Sequence, residues 1–455
     1  MLKKDCEVFW FHPNGVYLRY QDNKYFTMDK IKHSSQNITP FGGLYFINAL
    51  LKQNKVPDFI NQTLGLRNYR AKYSYADIVF SLLKNSLCNG EFVSDLKYLK
   101  EKISENMKGS IPSHDTVEYA FQELKKTNNI VVTESNITHQ INRNSNINDL
   151  LLGICVNLKL LKSNVKDYIL DFDNVVLNND KQDAKTSYKM TKAYHPCFAN
   201  IGNNTIYFEN RNGNTPAKYA QKEALENCFN NLNNNKISIK SFRGDSASYQ
   251  KEVLDILEEN VTHFYIRNVT SAGFRNICIE EENWENVEVN YENKEVASIK
   301  YTPFKAEKEY RVVVTRTKIK ETEINLFPEH SYTYYGIITN DFEMSNLEVI
   351  KFYNKRGNDS ENNNKNLLND FNIHRLPFMD LDTNTVYIGL MAVCSNIFEW
   401  IKQILVKNKV EGIEIQHRTK RVFMQYVCVC SKFVKHAREN ILVIFSTKKY
   451  HPLII

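Results

Sequence analysis

Residues 168–177 read YILDFDNVVL. Side chains alternate faces along a strand, so Asp171 and Asp173 share one face and Phe172 takes the other. Two carboxylates on one face of so apolar a run are costly unless they are paired, solvated or bound to metal. A capping or turn role is the plain alternative. Short β-rich runs follow: TIYFENR (205–211), ISIKSFRGD (237–245) and HFYIRNV (263–269). Between the last two, QKEVLDILEEN (250–260) carries one apolar face at helical spacing. Strand, strand, strand, helix, strand is the order of an α/β core.

Two further acidic positions stand out. Asp245 ends the run Arg243-Gly244-Asp245-Ser246 after the ISIKSF strand. An acid beside glycine and small residues at a strand end suits a crevice, and equally suits a helix cap. Glu361 sits in FYNKRGNDSENNNKNLL (352–368), with Lys365 one turn on. A solvated face explains that polar run as well. Acids from separate strands and a helix can converge on Mg²⁺, which takes oxygen donors and leaves room for phosphate and water. Two such ions about 4 Å apart activate an attacking oxygen and stabilise a leaving one.

The chain has 455 residues, 42% hydrophobic, with 26 Phe and 26 Tyr, enough for a large core. Gly 15 and Pro 10 exclude collagen-like and linker-rich classes. A net charge of +7 permits a polyanionic partner without demanding one. Nine cysteines, an odd number with no Cys-x-x-Cys, point to a reducing compartment; Cys428 and Cys430 read as ordinary buried thiols on one strand face. The N-terminus does not read as a signal peptide, and VYIGLMAVCSNIF (386–398) falls short of a membrane span. The expectation is a soluble intracellular protein with no membrane partner.

Residues 1–40 read as an arm or small β element, and 41–160 as helical, with the Asn-rich NNIVVTESNITHQINRNSNIND (128–149) as a linker. The core occupies 161–269 and returns in 346–405; a β-rich insertion fills 270–345, and 406–455 is a basic β segment. Candidate phosphate-facing patches are Lys181, Lys185 and Lys189, and Lys407, Lys409, Arg418, Lys420 and Arg421, each as readily a solvated face. Trp284, in an acidic run, reads as core, and His195 and His374 as structural or phosphate-facing.

These stretches, with IPSHDTVEYAFQEL (111–124), ENRNGNT (209–215), EYRVVVTR (309–316), YYGIITN (334–340) and LLNDFNIHRLPFMDLDTNTVYIGLMA (367–392), resemble the DDE transposases of the insertion-sequence group-one kind. The resemblance spans about residues 40–400. It implies an α/β fold with an RNase H-like core interrupted by a β-rich insertion, and a helical N-terminal domain for DNA-end binding or dimerisation. It implies hydrolysis at element ends and strand transfer into target DNA, with two Mg²⁺ ions (Mn²⁺ as substitute). The partners it implies are double-stranded DNA with terminal inverted repeats and target DNA, and a second copy of the chain. The host would be bacterial and the protein nucleoid-associated.

By residue, the resemblance places the catalytic and metal-binding acids at Asp173, Asp245 and Glu361, with Asp171 as the alternative first ligand. Tyr353, Arg356, Lys365, Arg211, Asn214 and Arg243 fall on positions implied to bind DNA, Arg211 and Asn214 near the core or the DNA. Three departures stand out. Val175 replaces a threonine, and Ala247 a glycine. Four residues, Gly357 to Ser360, separate Arg356 from Glu361 where the family has three. In a continuous helix that extra residue turns the glutamate by about 100°. A nuclease of the same core, or a DNA-binding relic, are the alternative functions.

Overall fold

A computed structural model describes residues 10–12, 15–17, 38–103, 111–289, 291–305, 308–318, 332–437 and 439–446; of 358–362 it describes the backbone alone. Most of the expected N-terminal arm therefore lies outside the described residues; within it, Trp10–His12 and Gly15–Tyr17 pair as an antiparallel hairpin.

One sheet of eleven strands organises the chain: β1 (Asn129–Val132), β2 (Thr138–Asn142), β3 (Tyr168–Asn174), β4 (Cys197–Ile201), β5 (Asn204–Arg211), β6 (Ile239–Gly244), β7 (Val261–Asn268), β8 (Glu285–Val289), β9 (Glu292–Tyr301), β10 (Tyr310–Lys318) and β11 (Tyr332–Thr339). Its spatial order is β8-β9-β10-β11-β7-β6-β3-β4-β5-β2-β1. β3, β4 and β5 run antiparallel in turn, whereas β6 joins β3, and β7 joins β6, in parallel. The segment expected as a linker instead supplies β1 and β2, which extend one edge of the sheet through β5. β1, Asn-Ile-Val-Val, is exposed along its whole length, so no buried alternation marks it within the Asn-rich stretch. The insertion supplies β8 to β11 at the other edge and, in a stretch read as wholly β-rich, a helix over Ala272–Glu280.

Helices cover both faces. Over Gly43–Leu124 the chain forms α1 (Gly43–Gln53), α2 (Val56–Leu64), α3 (Tyr75–Leu87), α4 (Leu96–Lys102) and α5 (His114–Leu124). Ser113 caps α5 by accepting from the Thr116 amide. α6 (Ser145–Asn157) packs on α11 (Leu381–Lys407) and on β5. α7 (Gln221–Asn234) and α8 (Lys251–Asn260) pack on one another, α8 also against β7; α9 (Ala272–Glu280) precedes the insertion strands. α11 is long and apolar enough to cross a membrane, yet 89% of its most apolar window is buried inside the protein. The run judged too short for a span is the centre of this core helix. Gly389 lets α11 approach: a Cβ there would lie 2.4 Å from Ile147 Cγ2 and 2.7 Å from Phe208 Cε1. Asn396 then hydrogen-bonds both backbone groups of Thr205, satisfying polar atoms that would otherwise be buried unpaired.

α10 (Asn346–Asn369) lies against the opposite face, where Tyr265, Val313, Ile337, Val349, Ile350 and Tyr353 form a second apolar cluster. Ser345 and Glu348 close its N-terminus as a capping box. The helix runs unbroken through Gly357–Glu361. The C-terminal run expected as strands begins as a helix at Thr419–Val422, continues as a wide turn to Val427, and only then forms strand Cys430–His436. Cys428 and Cys430 are exposed, not the buried thiols expected.

Candidate active site

Parallel pairing of β3 and β6 sets Asp171 opposite Arg243 and Phe172 opposite Gly244. The next residue of β3 is Asp173 and the residue leaving β6 is Asp245, so both carboxylates arrive at the same end of neighbouring strands. Gly244 allows the chain to turn there, since a Cβ on it would sit 2.5 Å from Ser248 Oγ. Asp245 caps that turn, its Oδ1 accepting from the Ala247 amide at 2.9 Å. The capping role and the crevice position coexist. Gln221 on α7 donates to Ser248 Oγ at 2.6 Å and braces the turn from behind.

α10 forms the roof. Tyr353 donates to the Gly244 carbonyl at 3.0 Å. Arg356 reaches Asp173 Oδ1 at 3.1 Å and donates to the Phe172 carbonyl at 3.0 Å. Two turns on, Asn364 Nδ2 donates to Asp173 Oδ2 at 3.0 Å, and Asn363 Nδ2 donates to Asn200 Oδ1 at 2.6 Å. Burial pushes the Asp173 carboxyl above its ordinary range; the Arg356 charge opposes the shift and the neighbouring Asp245 charge adds to it.

Asp171 lies on the same face as Asp173 but its charge is already matched. Its two oxygens accept from Arg243 Nε and Nη2 at 2.7 Å each, with side chains 2% and 1% exposed. Arg243 Nη1 also donates to the Phe352 carbonyl at 2.9 Å. Arg243, expected near DNA, is therefore enclosed beneath α10. Arg211 is likewise buried, bonded to Glu209 and to the Tyr219 and Ala220 carbonyls, and Asn214 donates to the Thr138 carbonyl between β5 and β2. Lys365 is exposed. His195 is buried against the Thr215 carbonyl, and exposed His374 contacts the Leu368 carbonyl. Trp284 is half-buried with the Arg316 guanidinium 4.2 Å above its ring.

The side chain of Glu361 lies outside the described residues. Its backbone position follows from the continuous helix at 100° per residue. Arg356 and Asn364, which both touch Asp173, bound an arc of about 80°. Position 360 falls in the middle of that arc, and position 361 about 100° from the middle. Among the described residues, no three His, Cys, Asp or Glu side chains converge as a metal cluster.

Two half-buried strand-end carboxylates, Asp173 and Asp245, thus lie at neighbouring strand ends, with Arg356 of α10 against the first. The family model for "Transposase DDE domain group 1" matches residues 29–453, and the chain belongs to that family. No curated protein matches it. A solved structure, the cryo-EM structure of piggyBac transposase synaptic complex with hairpin DNA, is similar at a TM-score of 0.41 and 10% identity, covering 77% of this chain and 70% of that one.

Proposed function

We propose that this transposase hydrolyses phosphodiester bonds at the ends of an insertion sequence and transfers the freed 3′-hydroxyls into target DNA, with Asp173 and Asp245 at its centre. The observation that carries this is the arrival of both carboxylates at adjacent parallel strand ends beneath Arg356. The order β5-β4-β3-β6-β7, three antiparallel strands followed by two parallel ones, supports an RNase H-like core, with β8 to β11 as its insertion. The helices over residues 43–124 fit an end-binding or dimerisation role.

The donor set fits a divalent cation of the hard type. Asp173 and Asp245 offer carboxylate oxygens at neighbouring strand ends. Mg²⁺, or Mn²⁺ in its place, held by the two aspartates would supply Lewis-acid activation of the attacking oxygen. Arg356 fixes the orientation of Asp173 and offsets the repulsion between the two acids. The Ala247 amide holds one oxygen of Asp245, and Tyr353 holds the carbonyl just before it. Positioning of this kind is the main protein contribution to phosphoryl transfer.

Double-stranded DNA carrying the terminal repeats is the proposed substrate. A groove of about 740 Å³ opens beside the Asp245 turn; Lys218, Lys222 and Lys251 and the rings of Tyr219, Tyr249 and Phe304 line it, with Glu223 and Glu252 among them. The test is cleavage of labelled DNA taken from either side of the gene. Release of 3′-hydroxyl ends by the wild type, lost in Asp173→Asn, supports the proposal. Cleavage surviving that substitution refutes it. Cleavage with no joined product would favour the plain nuclease.

A further inference from the structure

β3 ends beside the start of β4, with Asn174 opposite Cys197 and Asp173 opposite Phe198. The chain between them, residues 175–196, therefore leaves and re-enters the large sheet at the end where Asp173 stands. It folds into a small sheet of its own, with strands Leu177–Asn178, Lys192–Tyr194 and Lys185–Thr186 in that spatial order. The root of this sheet is fixed. The Val175 amide donates to the Pro196 carbonyl at 2.9 Å, and the His195 amide to the Arg211 carbonyl at 2.7 Å. Asp183 accepts from the Tyr194 hydroxyl and from the Leu381 amide at the start of α11.

The outer strand and the tip carry a different set of side chains. The Ser187 amide donates to the Thr191 carbonyl at 2.8 Å and the Met190 amide to the Ser187 carbonyl at 2.9 Å, so the tip is a tight turn. Tyr188 is 72% exposed and Met190 84%. Met190 sits at φ 60°, the left-handed region that glycine adopts freely. An apolar side chain there strains the backbone and gains no burial, so folding does not account for it. Charge is one-sided as well. Lys185, Lys189 and Lys192 are exposed, and among the described residues none of them pairs with a carboxylate. Both acids of the segment, Asp180 and Asp183, precede the outer strand, and Asp183 is already bonded.

The hairpin reaches the same ligand as the centre. Met190 is eight residues from Phe198, which stands opposite Asp173, so it lies within about 29 Å of it along an extended chain. One turn of duplex DNA spans about 34–36 Å. A duplex with a phosphate at the Asp173 and Asp245 end would thus pass the tip within a turn. His195 links the two places. Its ring is 5.9 Å from the Tyr188 ring. Burial holds its pKa below the ordinary value, with the Asp245 charge opposing that shift and the Lys189 charge adding to it. We propose, resting on the catalytic reading of Asp173 and Asp245, that the Lys185–Lys192 hairpin grips duplex DNA beside the cut: Lys185, Lys189 and Lys192 bind its phosphates and Met190 enters its minor groove. Lysines neutralise phosphate without reading sequence, and apolar side chains such as methionine wedge between base steps from that groove.

Binding of labelled duplex DNA to the full-length protein without divalent ions, followed by fluorescence anisotropy against salt, tests this apart from catalysis. Each phosphate contact adds about 0.9 to the steepness with which log affinity falls against log salt concentration. The triple variant Lys185→Gln, Lys189→Gln and Lys192→Gln should lower that steepness by about 2–3. Steepness equal to wild type overturns the proposal. Circular dichroism checks the fold; if the triple variant does not fold, Lys189→Gln alone carries the test, with a drop of about 0.9. Met190→Gly, which relieves the backbone, should keep the salt dependence. It should also lose the brightening of a fluorescent adenine analogue that the wild type unstacks at one base step. Brightening that persists in Met190→Gly, or that the wild type produces at no position, overturns the minor-groove role. Cleavage of the same DNA separates the two levels. Cleavage abolished by Asp173→Asn, with unchanged steepness in the triple variant, removes the hairpin alone. Cleavage that survives Asp173→Asn removes the catalytic reading, and the salt dependence then decides the hairpin by itself.

Discussion

Asp171→Asn should destabilise the fold more than it disturbs the metal site. The substitution keeps the side chain's volume and removes the charge that faces the Arg243 guanidinium in a site only 1% exposed. Two bonds of 2.7 Å lose their charged acceptor, while Arg243 keeps its bond to the Phe352 carbonyl and its stacking on the Phe352 ring at 5.3 Å. Breaking a buried ion pair from one side costs about 3–5 kcal/mol. Replacing both partners, as Asp171→Leu with Arg243→Met, removes both desolvation penalties and should recover most of that loss. The assay is a double-mutant cycle from urea unfolding, with Mn²⁺ affinity measured on each folded variant. A cost below about 1 kcal/mol for Asp171→Asn would refute the reasoning, because that is the range of an ordinary surface change. A folded Asp171→Asn protein that no longer binds Mn²⁺ would refute it differently, by making Asp171 a ligand.

Other outcomes follow from the same geometry. Since Asp173 holds its proton more tightly than an ordinary carboxylate, Mn²⁺ should begin to lose affinity at a pH above the usual aspartate value near 3.9; affinity unchanged from neutral pH down to that value would contradict this. In the metal-free protein the same raised value means that this carboxyl lowers stability above its folded pKa, and that the penalty vanishes as the pH falls below the unfolded one. Gly389→Ala should cost about 1–2 kcal/mol by thermal unfolding, overpacking against Ile147 and Phe208 outweighing the gain in helix propensity; a stabilised variant would show that α11 does not approach β5 as described. Under native conditions, maleimide labelling with peptide mapping should find Cys428 and Cys430 modified, and Cys155, Cys197, Cys228 and Cys394 protected until denaturation.

Much of this centre was legible because strand alternation is a strict rule. Asp171 and Asp173 do share a face, and Asp245 does end a strand, as local pattern alone requires. Their different fates were not legible. Only the parallel register that sets Arg243 opposite Asp171 shows that one acid is neutralised while the other stays at the crevice. The same register explains why a basic residue two positions before an acid, which looks like a phosphate contact in sequence, lies under a helix. β1 escaped notice because an exposed edge strand needs no apolar alternation to be held by its backbone. Asn364 escaped because its place depends on counting turns from Tyr353 through an Asn-rich run whose composition reads as solvated. The family resemblance spans most of the chain that the family model matches, but it could not decide whether the helix restarts after the extra residue. The unbroken α10 decides that it does not.

The most direct test of the central claim uses pre-cut element ends with free 3′-hydroxyls, supercoiled target plasmid and Mn²⁺, comparing wild type with Asp245→Asn. Joined ends are expected with the wild type, none with Asp245→Asn, and equal binding of end DNA by both. Joining by Asp245→Asn at the wild-type rate would contradict it.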